Sequence, residues 1–205
     1  MIARRLAGLA GLAVLTAACT SLQAPAPEPT SADRDARLQA LSHWQLRGRV
    51  AYKDPDGGGG QASLRWDQAD AVSRLRLAGP FGAGAVAMTV EPGQVTVSDA
   101  QGERELQYLG PDALETLLRA QLGWSFPAAA ARFWMLGIAD PAAPAVQEFT
   151  AAGEPATLTQ YGWRVEYERF AEFSGLELPV KLTMSGEHGR LRVVVTDWRF
   201  DRGAN

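Results

Sequence analysis

The chain has 205 residues, 46% of them hydrophobic, and a formal net charge of −3. That is enough for one domain with a sizeable core, and too acidic for a surface built to hold nucleic acid. One cysteine and two histidines exclude a disulfide framework and leave little from which to build a metal site.

At the amino terminus, Arg4 and Arg5 precede an apolar run from Leu6 to Leu15 and the small residues Ala17 and Ala18. Basic start, short apolar stretch and small residues define a secretory signal peptide over residues 1–18. The apolar run falls short of the roughly 20 residues that a membrane span needs. Cys19 follows at once, in the place where bacterial lipoproteins are cut and acylated; the alternative is a plain secreted protein with a stray thiol. Thr20 stands where an aspartate would resemble an inner-membrane retention signal, so the outer membrane is the expected address. Loss of Arg4 and Arg5 leaves 18 basic against 23 acidic residues, a net charge of −5 that suits neither nucleic acid nor electrostatic docking on anionic lipid. Residues 19–30 carry Pro25, Pro27 and Pro29 and read as an extended tether. Residues 31–202 are expected to form a single domain.

Ser31 can cap a helix running through Leu38 and Leu41 to about His43. Beyond it the apolar period becomes two. Leu46, Val50 and Tyr52 alternate with basic residues; Ala62, Leu64 and Trp66, then Leu75 and Leu77, then Val86, Met88 and Val90 continue the pattern. Antiparallel strands with one face on a core and one in water alternate in this way. Gly57 to Gly60 has no Gly-Lys-Ser/Thr after it, so it reads as a hairpin tip rather than a phosphate loop. Pro111 to Leu122 places Leu114, Leu117, Leu118 and Leu122 at helical spacing. A second short helix should start at Pro127, carry Phe133, Trp134 and Leu136, and end at Gly137. Strands then resume with Phe149, Leu158, Trp163-Val165-Tyr167, Val180-Leu182-Met184 and Leu191 to Trp198. About eleven short strands imply a barrel or strongly curved sheet, with the helical insert across its opening.

Catalytic patterns are missing. His43 ends a helix, His188 sits in a hairpin tip, and no spacing of His, Cys, Asp or Glu suits a metal. Ser63 and Ser73 have no general base on the same pattern, and Glu103/Glu105 and Glu166/Glu168 occupy solvated strand faces. An enzyme is not expected, and no cofactor. Trp66, Trp163 and Trp198 fall on inward strand faces with Leu64, Val165 and Leu182, while Trp134 falls on the second insert helix. Periodicity leaves two readings of these side chains equally open, a packed core and the lining of an apolar cavity.

Several ordered segments then resemble one family. They are Trp44-Gln45-Leu46-Arg47-Gly48-Arg49-Val50-Ala51-Tyr52, Leu64-Arg65-Trp66-Asp67-Gln68 and Leu77-Ala78-Gly79-Pro80-Phe81-Gly82, followed by Leu122-Gly123-Trp124-Ser125-Phe126-Pro127, Phe133-Trp134-Met135-Leu136-Gly137, Gly162-Trp163-Arg164-Val165-Glu166-Tyr167, Leu178-Pro179-Val180-Lys181-Leu182 and Asp197-Trp198. From about Leu38 to Phe200 the chain is similar to the LolB-type outer-membrane lipoprotein receptors. The resemblance implies an open, eleven-stranded antiparallel half-barrel with a helical lid over an acyl-binding cavity. It implies that Trp66, Trp134, Trp163 and Trp198 line that cavity, and that a monomer accepts acylated lipoprotein cargo from the periplasmic carrier LolA and delivers it into outer-membrane lipid. Pro80-Phe81-Gly82 matches the family's protruding membrane-insertion loop, with phenylalanine where the family carries an exposed leucine. A lipoprotein that binds a free lipid or fatty acid without passing it on would share the cavity but needs no such tip; a purely structural lipoprotein would have no cavity.

Overall fold

The computed structural model describes residues 31–80, 84–99, 101–102, 105–122, 126–187 and 189–200. The order of elements is α1 (Ser31–Gln39), β1 (His43–Lys53), β2 (Gly59–Ala69), β3 (Val72–Ala78), β4 (Val86–Glu91), β5 (Gln94–Asp99), β6 (Glu105–Leu109), α2 (Ala113–Leu122), α3 (Ala128–Leu136), β7 (Val146–Phe149), β8 (Pro155–Gln160), β9 (Trp163–Phe173), β10 (Leu176–Gly186) and β11 (Gly189–Phe200). All eleven strands form one open antiparallel sheet, ordered β6-β5-β4-β3-β2-β1-β11-β10-β9-β8-β7. Two meanders, one from each end of the chain, are therefore joined at the middle by β1 against β11. The expected mainly β fold, an open half-barrel of eleven strands with helices across it, is what the chain adopts.

The alternation works as written. Trp44 and Leu46 on β1, Leu64, Trp66 and Gln68 on β2, and Val193, Val195 and Trp198 on β11 all point to the buried face, while Arg47, Arg65 and Arg192 point out. Register carries the pattern across the sheet, since Leu46 stands opposite both Trp66 and Trp198. A bulge between Arg47 and Gly48 leaves Thr196 without a partner in the ladder, and its hydroxyl donates instead to the Arg47 carbonyl at 3.1 Å. Bulges of this kind increase local twist, which an open sheet needs in order to curl.

One boundary departs from expectation. The first helix ends at Gln39 and β1 already begins at His43, because Trp44 pairs with Phe200 on one side and Gln68 on the other. Two flanking ladders outweigh a helical turn, and Leu41 keeps its apolar contact from the connecting turn.

Both insert helices lie on the concave face. Alpha-3 packs with a large cluster from β1, β2 and β8–β11, whose members include Trp134, Met135, Leu136, Leu158, Val165, Leu182 and Trp198. Alpha-2 sits over β5 and β6 on a small separate cluster built from Val95, Ala113 and Leu117. All the described helices and strands and both clusters lie within residues 31–200.

Candidate functional site

Helix α3 is fixed at its carboxyl end. Gly137 takes a left-handed conformation (φ 78°) that closes the helix, with its N–H donating to the Trp134 carbonyl at 3.0 Å. The Tyr167 hydroxyl donates to the same carbonyl at 3.0 Å. Burial pushes that phenol well above the ordinary tyrosine range, so it stays a neutral donor. Gln160 supplies the second clamp. Its Oε1 accepts from Trp134 Nε1 at 2.9 Å and from the Asp140 N–H at 3.0 Å, while Nε2 donates to the carbonyls of Asp140 and Ala143, each at 2.8 Å. All four hydrogen-bonding positions of this buried amide are used.

The aromatic side chains form two groups under this helix. Trp44 meets Trp66 and Trp198 with ring centroids 5.3 Å apart in each case. Phe126 lies edge-on to Trp163 at 5.0 Å and to Trp134 at 6.1 Å. Trp163 is seated against Gly186, where a Cβ would come within 2.6 Å of the indole. Trp198 Nε1 donates to the Pro179 carbonyl at 3.1 Å. Trp66 Nε1 donates to Gln68 Oε1 at 3.1 Å, and the Ser73 hydroxyl donates to the same oxygen at 2.6 Å.

The other half of the concave face is thinly covered. Leu75, Leu77, Met88, Val90, Val97 and Tyr108 are only partly buried, and Val86 and Leu106 are exposed, Leu106 to 53%. Between this surface and helices α2 and α3 lies a cleft of about 300 Å³ whose lining includes Trp66, Leu75, Met88, Val90 and Leu114, with Arg132 and Glu91 among its polar members. A larger groove of about 580 Å³ runs beside α1, but Arg34, Arg37, Glu154 and Glu177 line it. Desolvation first and the neighbouring Glu177 next raise the Glu154 carboxyl there. Charged groups that already lose hydration make that groove a poor seat for hydrocarbon.

Of the residues singled out from the sequence, Trp66 borders the 300 Å³ cleft. Trp134, Trp163, Trp198, Val165 and Leu182 lie within the packed cluster, and Leu64 sits in the same cluster opposite Leu77. Pro80 is exposed at the end of β3. Cys19, Phe81, Gly82 and His188 lie outside the described residues. Three contributors were not singled out as site residues: Trp44, which joins the first aromatic group, and the two amides Gln68 and Gln160. Their signal was present, since each falls on the inward face by the period of two, two residues from Trp66 and Leu158 respectively.

Among the described residues the hydroxyl and histidine side chains near this arrangement are engaged in structural contacts. Ser73 is bound to an amide, and the contacts of His43 to Ser42 and Asp70 are on the surface. Among the described residues no group of His, Cys, Asp and Glu could hold a metal, and no helix is long and apolar enough to cross a membrane. The cleft offers shape and apolar surface.

Comparison with known proteins gives consistent results. A family model described as "Outer membrane lipoprotein LolB" matches residues 42–198. A protein named outer-membrane lipoprotein LolB from Chromohalobacter salexigens is 34% identical over 194 residues, 92% of this chain and 87% of its own length. One of the same name from Alkalilimnicola ehrlichii is 35% identical, over 93% of this chain and 94% of its own. Among solved structures, a DUF1329 family protein from Desulfovibrio piger superposes with a TM-score of 0.53 at 8% identity, covering 86% of this chain and 95% of that one. A LolA superfamily protein from Nitrosomonas europaea gives 0.51 at 7% identity, with 85% and 95% covered. These two likenesses concern the fold alone.

Proposed function

The chain belongs to the outer membrane lipoprotein LolB family, which is not a family of enzymes, and from that premise we propose that it receives acylated lipoproteins from the periplasmic carrier LolA and releases them into the outer membrane. It does so as a monomer, lipid-anchored and facing the periplasm. The observation that carries this reading is the contrast on its concave face. An apolar cleft adjoins a half-covered sheet whose Leu106 and Val86 remain open to solvent. A closed structural core would leave no such surface.

The physics of the cargo dictates the route. About 0.8 kcal/mol per methylene puts one palmitoyl chain near 12 kcal/mol, so no step can leave it in water. The carrier must dock mouth to mouth and pass the chains along a continuous apolar path. Helix α2, whose Ala113 and Leu117 share a buried cluster with Val95 alone among the described residues, is the element that gives way, and α3 stays in place. Direction follows from tighter binding by the receptor than by the carrier, with the bilayer as the final sink. No nucleotide is consumed.

The anchor and the tip complete the proposal. Residues 1–18 are removed on export, Cys19 carries the acyl chains, and residues 19–30 tether the body. Phe81, flanked by Pro80 and Gly82, enters the bilayer during release, its ring replacing the leucine common in the family. Transfer from carrier–lipoprotein complex tests both steps separately. Phe81→Glu should still accept cargo from the carrier but fail to pass it to liposomes, because a charged tip resists apolar lipid, while Phe81→Leu should match wild type. Equal loss of both steps would remove the insertion role.

A further inference from the structure

The outer face of β1, β2 and β3 carries a local charge pattern that the transfer reading does not use and that the net charge of −5, which by itself speaks against docking on anionic lipid, does not reveal. Arg47, Arg65 and Arg76 stand directly opposite one another across the three strands. Arg49, Lys53 and Arg74 share the face, and Asp67 is its one carboxylate. Like charges directly opposite in a sheet are unfavourable, with Cβ atoms about 5 Å apart. Among the described residues none of these arginines has an ion-pair partner. Elsewhere the same sheet does balance its charge: on the outer face of β9–β11, Glu168 holds Lys181 at 2.8 Å and Arg192 at 3.0 Å. A depression of about 390 Å³ lies along the arginine row, lined also by Ser63, Ala78 and Ala87. Small residues beside unpaired guanidiniums leave room for an anion to approach closely.

We propose that this arginine row is a docking surface for anionic phospholipid headgroups, orienting the body on the bilayer it serves. Guanidinium groups match phosphate oxygens in geometry and charge. The choice of lipid over an acidic protein rests on the anchored reading above. Residues 19–30 span at most about 40 Å, and β1, at about 3.3 Å per residue over its eleven residues, is of similar length. Helix α1 begins at Ser31 beside Gly175 and Glu177, at the end of the sheet that holds Trp44, and β3 runs toward the opposite end before Pro80. The tether is thus long enough to bring the far end of β3, and the row beside it, down to the membrane surface.

The test uses a chain beginning at Thr20, which keeps every described helix and strand but lacks the anchor, and needs neither carrier nor cargo. Binding is measured by co-sedimentation with vesicles of phosphatidylcholine alone, or with phosphatidylglycerol as about a third of the lipid. The chain should partition at least tenfold more strongly onto the anionic vesicles at low salt, and the difference should shrink as salt rises. Substituting Arg47→Ser, Arg65→Ser and Arg76→Ser together should abolish the preference. The same charge removed at Arg119, Arg169 and Arg190 should leave most of it. Because the first triple removes repulsion, it should melt no lower than its parent, which checks that it folds. No preference for anionic vesicles, or equal loss in both triples, would overturn the proposal. So would a row variant that binds vesicles normally yet fails to take cargo, since the row would then contact a protein. Failure here leaves the transfer reading standing, and failed transfer with intact vesicle binding leaves this one standing.

Discussion

The two halves of this sheet are built from the same alternating pattern and end in different states. Around β8–β11, β1 and β2 the inward side chains meet α3 and are buried, Leu158, Val165 and Leu182 completely. Around β3–β6 the inward side chains are just as apolar, yet α2 covers them loosely and Leu106 is half exposed. What differs is the covering element. Helix α3 carries Trp134, Met135 and Leu136 and is clamped by Gln160 and Tyr167, whereas α2 contributes Ala113 and Leu117 to a cluster of three. Rigid scaffold and adaptable binding surface are thus divided between two ends of one sheet.

Trp134 should separate the two halves by the widest margin. Trp134→Ala should cost about 3–5 kcal/mol of unfolding free energy, read from urea denaturation, because the indole is completely buried and bound to Gln160. A loss below 1 kcal/mol would mean that α3 is no more firmly seated than α2. Gln160→Leu should cost about 1–3 kcal/mol, since the N–H groups of Trp134 and Asp140 lose their acceptor. The clearest sign of its origin would be faster hydrogen exchange confined to α3 and the segment after it. In the open half the balance should reverse. Leu114→Asp should weaken binding of a fluorescent acyl ligand by about tenfold, roughly 1.4 kcal/mol, while changing stability less than the two substitutions above. Leu114 borders the cleft and is only partly buried.

The smallest effect belongs to the outer face. Hydrogen bonds and charge from Lys181, Thr183 and Arg192 hold the Glu168 carboxyl below its ordinary value of 4.5. A carboxylate with a lowered folded-state value adds stability that is present above the unfolded value and lost as pH falls through the folded one. Glu168→Gln should therefore cost under about 1 kcal/mol at neutral pH, as exposed pairs do. Its melting curve should converge with that of wild type as the pH drops below 4.5. A difference that persists at low pH would show that packing, not charge, is responsible.

Much of this was legible in one dimension. Alternation at Leu64-Trp66 and Trp163-Val165 marks inward faces because successive strand residues point to opposite sides, a local property interrupted only at a bulge such as the one at Thr196, which brings Val195 and Trp198 to one face. The insert helices announce themselves through Leu114, Leu117 and Leu118 and through Gly137. The short first helix was overextended because a propensity argument cannot see that Trp44 has strand partners on both flanks.

Which inward aromatic meets a cleft and which is sealed in a core was not legible, and the reason is geometric. Period two assigns a face but gives no distance to whatever lies above it. Trp66, Trp134, Trp163 and Trp198 read alike from the chain, and it is the position of α3, set by Gln160 and Tyr167 from β8 and β9, that seals three of them and leaves Trp66 at the margin of the open half. The pairing of β1 with β11 across nearly the whole chain, and the alignment of Arg47, Arg65 and Arg76 into a row, likewise exist only in the sheet. Sequence alone determined which face each regular stretch of strand turns inward. Tertiary structure decided how much cover each half receives, because burial depends on where a remote helix is held.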